Sequence, residues 1–179
     1  MTYSTPQRIG APILALILAF SVAGSMRAEA HLLRRNAAES TDKIKPKFAP
    51  GMSKSLRRGV EVGFGTALRR LHRLPLCRAL FDGLRLRANE VLGSTPYELA
   101  REPEIVARCR KKGVVAVSYV HGKRIHLCKG FYSLSLNERA VIIIHEALHG
   151  AGMSEWPSDP QASTAGEIGL MVEKACLLD

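Results

Sequence analysis

The stretch that most constrains the fold of this chain is the apolar run from Ala140 to Leu148. Ser135 and Glu138 form a capping box ahead of it, and Gly150 and Gly152 follow it, so the pattern predicts a helix with defined ends. A helix that is apolar on most of its faces is expected to be buried. Any polar side chain within it then needs a partner inside the protein.

Two histidines and a glutamate interrupt this apolar helix. His145 and His149 are four residues apart, which places them on the same helix face, one turn from each other. Two imidazoles at that spacing can bind one zinc ion, and Glu146 occupies the position where zinc peptidases carry their general base. The alternative is a chance match to a short motif, with the histidines as satisfied core residues.

The pattern continues beyond the second histidine. With Gly152 and Glu155 it reads H-E-x-x-H-x-x-G-x-x-E from His145 onward. This resembles the zincin metallopeptidases and, within them, the extended metzincin signature, in which the third ligand is usually a histidine. The resemblance implies an α+β, zincin-like fold, with a small antiparallel sheet beside an active-site helix. It also implies a zinc-dependent enzyme that hydrolyses peptide bonds.

The same resemblance implies a set of site residues. His145, His149 and Glu155 are the implied zinc ligands, and Glu146 is the implied catalytic base. Three protein ligands and a water are usual for a catalytic zinc ion. Two other downstream residues are alternatives for the third ligand, Glu167 and Asp159.

The N-terminal segment has the pattern of a secretory signal peptide. Arg8 precedes an apolar run over residues 9–24, and Ala28-Glu-Ala30 is an A-x-A cleavage site, so residues 1–30 are predicted to be removed. The alternative is an uncleaved anchor, although the run is shorter than the roughly 20 residues that span a bilayer. The interpretation predicts export to the periplasm or the extracellular space, with no membrane attachment after cleavage.

Lys, Pro, Ser and Gly dominate residues 31–60, which we interpret as a basic linker or disordered arm, with a propeptide as the alternative. Residues 61–179 are then the zincin-like domain. The chain has 26 basic and 16 acidic residues, and removal of residues 1–30 leaves 24 and 15, a net charge of +9. Such a charge favours anionic partners such as envelope polymers. Nucleic acid is not expected, because no recognition motif accompanies the charge.

The remaining patterns predict supporting elements. Helices are predicted over 64–74, 76–86 and 96–102, and the alternation over 114–128 predicts a β-hairpin. The resemblance makes this hairpin the candidate for the edge strand that receives substrate. We expect His121 in its turn and His126 on the strand surface. The alternative for either is a hydrogen bond that supports a metal ligand.

Four cysteines in an exported chain predict two disulfides. Three pairings are possible. Cys109 precedes the first hairpin strand and Cys128 ends the second, which favours that pair and leaves Cys77 with Cys176. A cysteine-rich zinc site is the alternative, but the chain has no C-x-x-C pair.

The sequence therefore predicts a secreted, monomeric zinc metallopeptidase acting on polypeptides or peptides. The hydroxyl groups of Tyr119 and Tyr132 are two candidates for stabilising the oxyanion of the reaction. Two other classes stay open: a non-catalytic binding module of zincin shape, and a basic, polyanion-binding envelope protein.

Overall fold

The computed structural model of the protein describes residues 44–154 and 165–177, all of which lie in one compact unit. The predicted signal peptide, Glu155 and Asp159 fall outside the described residues. In chain order the described elements are β1 (Lys47–Phe48), α1 (Lys54–Arg73), α2 (Pro75–Asp82), α3 (Ala88–Ser94), β2 (Pro96–Leu99), α4 (Pro103–Cys109), β3 (Ala116–Val117), β4 (Ile125–Leu127), a 3₁₀ turn (Lys129–Ser133), α5 (Leu136–Gly150) and α6 (Ala165–Cys176). The predicted α+β class is confirmed.

The sheet is mixed, so the prediction of an antiparallel sheet is wrong. Its strand order is β1-β2-β4-β3, and only β3 and β4 pair antiparallel, as the predicted hairpin. The pairs β1–β2 and β2–β4 are parallel. Helical segments join the members of each parallel pair, and such crossover connections bring the chain back in the same direction.

The prediction of a helix over 96–102 is also wrong, because Pro96–Leu99 forms strand β2. Proline is tolerated as the first residue of a strand. Tyr97 is fully buried and its ring packs edge-on against Phe64 of α1, with the ring centroids 6.1 Å apart. The burial of Tyr97 in the helical core therefore prevails over the helix-start signal of Pro96.

Helix α5 lies at the centre of the described core and contacts α1, α3, α6 and β3. Its largest interface is with α1, where Gly63 faces Arg139 and Ile143. A Cβ atom at residue 63 would lie 3.0 Å from the Cβ of Arg139 and 3.2 Å from the Cδ1 of Ile143. The absence of a side chain at this position therefore allows the two helices to approach closely.

The folded part begins before the predicted boundary at residue 61. Strand β1 and the first turns of α1 fall within the segment that we interpreted as a linker or arm. Met52 and Val60 are both buried in the core, and Ser53 caps α1 by accepting a hydrogen bond from the Leu56 N–H. Residues 44–60 therefore belong to the domain, and residues 31–43 lie outside the described residues.

Both predicted disulfides are confirmed. One joins Cys77 to Cys176 and the other joins Cys109 to Cys128, with sequence separations of 99 and 19 residues. Two disulfides are typical of proteins that fold in an oxidising compartment. Within the described residues, no helix is both long enough and apolar enough to span a bilayer.

We expect a Gly63→Ala variant to be less stable than a Gly65→Ala variant. Both replacements favour the helix by about 1 kcal/mol, but overpacking of a close interface costs about 1–3 kcal/mol. A Cβ at residue 65 would meet only the Arg69 guanidinium, at 3.6 Å. Urea unfolding of the two variants measures the difference, and equal stabilisation by both would contradict the close approach of α1 and α5.

Candidate metal centre

The predicted active-site helix is α5, and its capping box is present as expected. The Ser135 hydroxyl accepts from the Glu138 N–H, and the Glu138 carboxylate accepts from the Ser135 N–H. Glu146 and His149 are each only 6% exposed, and His145 is half-buried. Because α5 packs against the core through its apolar faces, Glu146 and His149 lie in the interior and His145 lies at its margin.

The two imidazole rings converge. The Nε2 atoms of His145 and His149 are 3.1 Å apart. Two nitrogens on one tetrahedral zinc ion lie about 3.3 Å apart, because each Zn–N bond is about 2.0–2.1 Å long. The spacing of the donor atoms therefore fits one shared metal ion with little movement of either ring.

The backbone after α5 fixes the orientation of one ring. The Nδ1 atom of His149 lies 2.8 Å from the Met153 carbonyl oxygen, so Nδ1 carries the proton and donates it. The Nε2 atom of a neutral His149 ring then presents a lone pair. A carbonyl acceptor behind the ring is the usual support for a metal-binding histidine.

Gly152 makes this support possible. Its φ is +108°, a conformation that glycine adopts without steric cost, and the chain turns there so that the Met153 carbonyl faces His149. The ring of His121 covers the same residue, since a Cβ at position 152 would lie 2.5 Å from its Cε1. The glycine of the motif is thus required by both backbone conformation and space.

The loop after β3 is a second part of the site that the sequence did not reveal. The Ser118 hydroxyl lies 2.7 Å from a carboxylate oxygen of Glu146 and 3.0 Å from its main-chain carbonyl oxygen. The His121 N–H donates to the His149 carbonyl, with an N···O distance of 3.0 Å, and His121 has a φ of +55°. His121 therefore occupies the predicted turn, and the loop is bound to α5 at both Glu146 and His149.

Three residues are the candidates for the third ligand: Glu155, Asp159 and Glu167. Glu155 and Asp159 lie outside the described residues, and Glu167 is exposed near the start of α6. Among the described residues, the group of three His, Asp or Glu ligand atoms within 4.8 Å of one another is a different one, Glu98, Glu102 and His126. It does not include Glu167.

The two tyrosines that are candidates to stabilise the oxyanion, Tyr119 and Tyr132, make their described contacts with other elements. The Tyr119 hydroxyl donates to Glu104 of α4 at 2.9 Å, and this hydrogen bond raises the pKa of Tyr119. The Tyr132 ring packs against Phe131 and Gly59, and burial raises its pKa to about 12. These contacts direct the two side chains to α4 and α1.

No protein-family model, no curated protein and no solved structure matches this chain.

We expect a His149→Ala variant to lose one equivalent of bound zinc relative to the wild-type chain, because it removes the oriented Nε2 donor. Metal analysis after equilibration with zinc and removal of loosely bound ions measures the loss. His72→Asn is the matched control, because His72 lies in the last turn of α1 and takes no part in the hydrogen bonds of the His145–His149 pair. Equal zinc content in all three proteins would contradict the site.

Proposed function

We propose that this chain is an exported zinc-dependent peptidase that hydrolyses peptide bonds in polypeptides or peptides. The observation that carries the proposal is the convergence of the His145 and His149 Nε2 atoms at 3.1 Å, with a buried Glu146 between the two histidines in the sequence. The paired disulfides support export, because such bonds persist in oxidising compartments.

The proposed chemistry divides between the metal and the chain. A bound zinc ion would supply a polarised water whose pKa is lowered to about 7. Glu146 would accept a proton from the attacking water and deliver it to the leaving amine. His145 and His149 would hold the ion, and the Met153 carbonyl would keep the His149 ring in its ligating orientation.

Ser118 would position the base. A carboxylate on an aliphatic side chain has rotational freedom, and the Ser118 hydroxyl at 2.7 Å restricts it. The same loop is anchored to the helix by the His121 N–H, so the base is held by backbone as well as side-chain contacts. Glu146 is therefore placed before substrate arrives, which reduces the reorganisation that the reaction requires.

The position of β3 supports a polypeptide substrate. Strand β3 is last in the order of the described sheet and contacts α5. An extended peptide can pair with such an edge through main-chain hydrogen bonds. A substrate in that position would run beside the helix that carries Glu146.

We expect a Glu146→Gln variant to retain zinc and to lose about 10²–10⁴-fold in kcat, because the amide cannot accept the proton. Cleavage of a diverse peptide mixture, followed by mass spectrometry, detects activity without a known substrate. Glu173→Gln, at an exposed position of α6, is the matched control and should cleave like the wild type. Full activity in Glu146→Gln would contradict the assignment of Glu146 as the general base. A wild-type chain that binds zinc but cleaves nothing would favour a non-catalytic binding module.

Replacement of Ser118 tests the positioning role. We expect Ser118→Ala to lower kcat by roughly tenfold, equivalent to about 1.4 kcal/mol, with KM and zinc content unchanged. Ser118→Thr keeps the hydroxyl and should restore most of the rate. An unchanged kcat in Ser118→Ala, or a threonine variant as slow as the alanine variant, would contradict the role.

A further inference from the structure

The face of the sheet that points away from α5 carries its own polar group. Side chains alternate along β2 and β4, and Tyr97, Ile125 and Leu127 are buried in the helical core. Glu98 and His126 project to the opposite face and are direct neighbours in the β2–β4 register. His126 is only 6% exposed, so our expectation that it lies on the strand surface is wrong.

The donor atoms of this group are close together. The His126 Nδ1 lies 3.0 Å from one carboxylate oxygen of Glu98, while Arg124 binds the other oxygen at 2.8 Å. A carboxylate oxygen of Glu102, which precedes α4, completes a set of three ligand atoms within 4.8 Å of one another. Arg124 thus orients Glu98 through one oxygen and leaves the other directed at His126.

With His126 neutral, the group carries a net negative charge. Glu98 and Glu102 carry two negative charges, and Arg124 supplies one positive charge through its bond to Glu98. His126 adds a positive charge only when it is protonated. Arg101, the other nearby guanidinium, donates to the Gly51 carbonyl at 2.9 Å. In the described part of the chain the Glu102 carboxylate has no ion-pair partner within 4.0 Å. A divalent ion would offset the remaining negative charge.

The group also has room for an ion and its water molecules. Glu98, Glu102 and His126 line a pocket of about 210 Å³. Its other lining residues are Ala49, Pro50, Met52, Leu99, Arg101 and Arg124. This volume is below the roughly 300 Å³ at which pockets for drug-sized ligands begin. The pocket therefore suits a hydrated ion better than a drug-sized organic molecule.

We propose that Glu98, Glu102 and His126 form a second metal site, for a divalent first-row transition metal such as Zn²⁺. One imidazole nitrogen with two carboxylates is a zinc-type donor set, whereas Ca²⁺ and Mg²⁺ prefer oxygen donors alone. On binding, the metal replaces the hydrogen bond between His126 and Glu98, and Arg124 keeps its hold on Glu98. The site connects β2, β4 and the start of α4 and shares no residue with the His145–His149 pair.

The test uses a His149→Ala background, so that zinc at the first centre does not contribute and no activity is needed. The full disulfide-bonded chain is equilibrated with Zn²⁺, freed of loosely bound ions and analysed for metal. We expect about one retained zinc per chain, lost in the His149→Ala/Glu98→Gln and His149→Ala/His126→Asn double variants. The control His149→Ala/Glu104→Gln changes an exposed glutamate of α4 outside the group and should retain the ion.

If the variant at the buried His126 does not fold, Glu102→Gln provides the second test, because Glu102 is exposed and its replacement leaves the core intact. Loss of a residue that only hydrogen-bonds to a metal ligand typically weakens metal binding by about 10–100-fold. Loss of Glu102, a direct ligand, should therefore weaken zinc binding by at least about tenfold. A folded His149→Ala chain without bound zinc would overturn the proposal. Zinc retention that is unchanged in the Glu98→Gln and Glu102→Gln variants would also overturn the proposal. Glu98 and His126 would then form only a hydrogen-bonded ion pair, with the Glu102 carboxylate as a neighbour.

Discussion

The candidate site depends on the burial of helix α5. Its apolar residues pack against α1, α3, α6 and β3, so Glu146 and His149 are brought into the interior with them. Buried polar groups are costly unless they are paired. The structure meets this demand from two sides, through the Met153 carbonyl behind His149 and the Ser118 hydroxyl beside Glu146. The Nε2 atoms of His145 and His149 face each other at a spacing suited to a metal ion.

Features set by local sequence could be predicted. The capping box of Ser135 and Glu138 and the i, i+4 histidines follow from helix geometry alone, and the structure contains both. The disulfide pairing followed from the hairpin, because its two ends must lie close together. Gly152 could also be inferred from the motif, although its reason became clear only with its positive φ and the His121 ring above it.

Features set by distant contacts could not be predicted. Pro96 is compatible with the start of either a helix or a strand, and only the packing of Tyr97 in the helical core decides between them. Nothing near Ser118 in the sequence indicates that its hydroxyl meets Glu146, since the two are 28 residues apart. The composition of residues 44–60 is that of a linker, yet a few apolar side chains such as Met52 suffice to attach it to the core. The outer face of the sheet was missed for the same reason, because the parallel pairing of β2 with β4 brings Glu98 beside His126.

X-ray absorption at the zinc edge tests the central claim most directly. The Glu98→Gln chain, loaded with one zinc per molecule, removes the contribution of the second site. The account predicts scattering from two imidazole rings with Zn–N distances of about 2.0–2.1 Å. A spectrum with oxygen neighbours only, or with one imidazole, would contradict the claim that His145 and His149 bind one ion together.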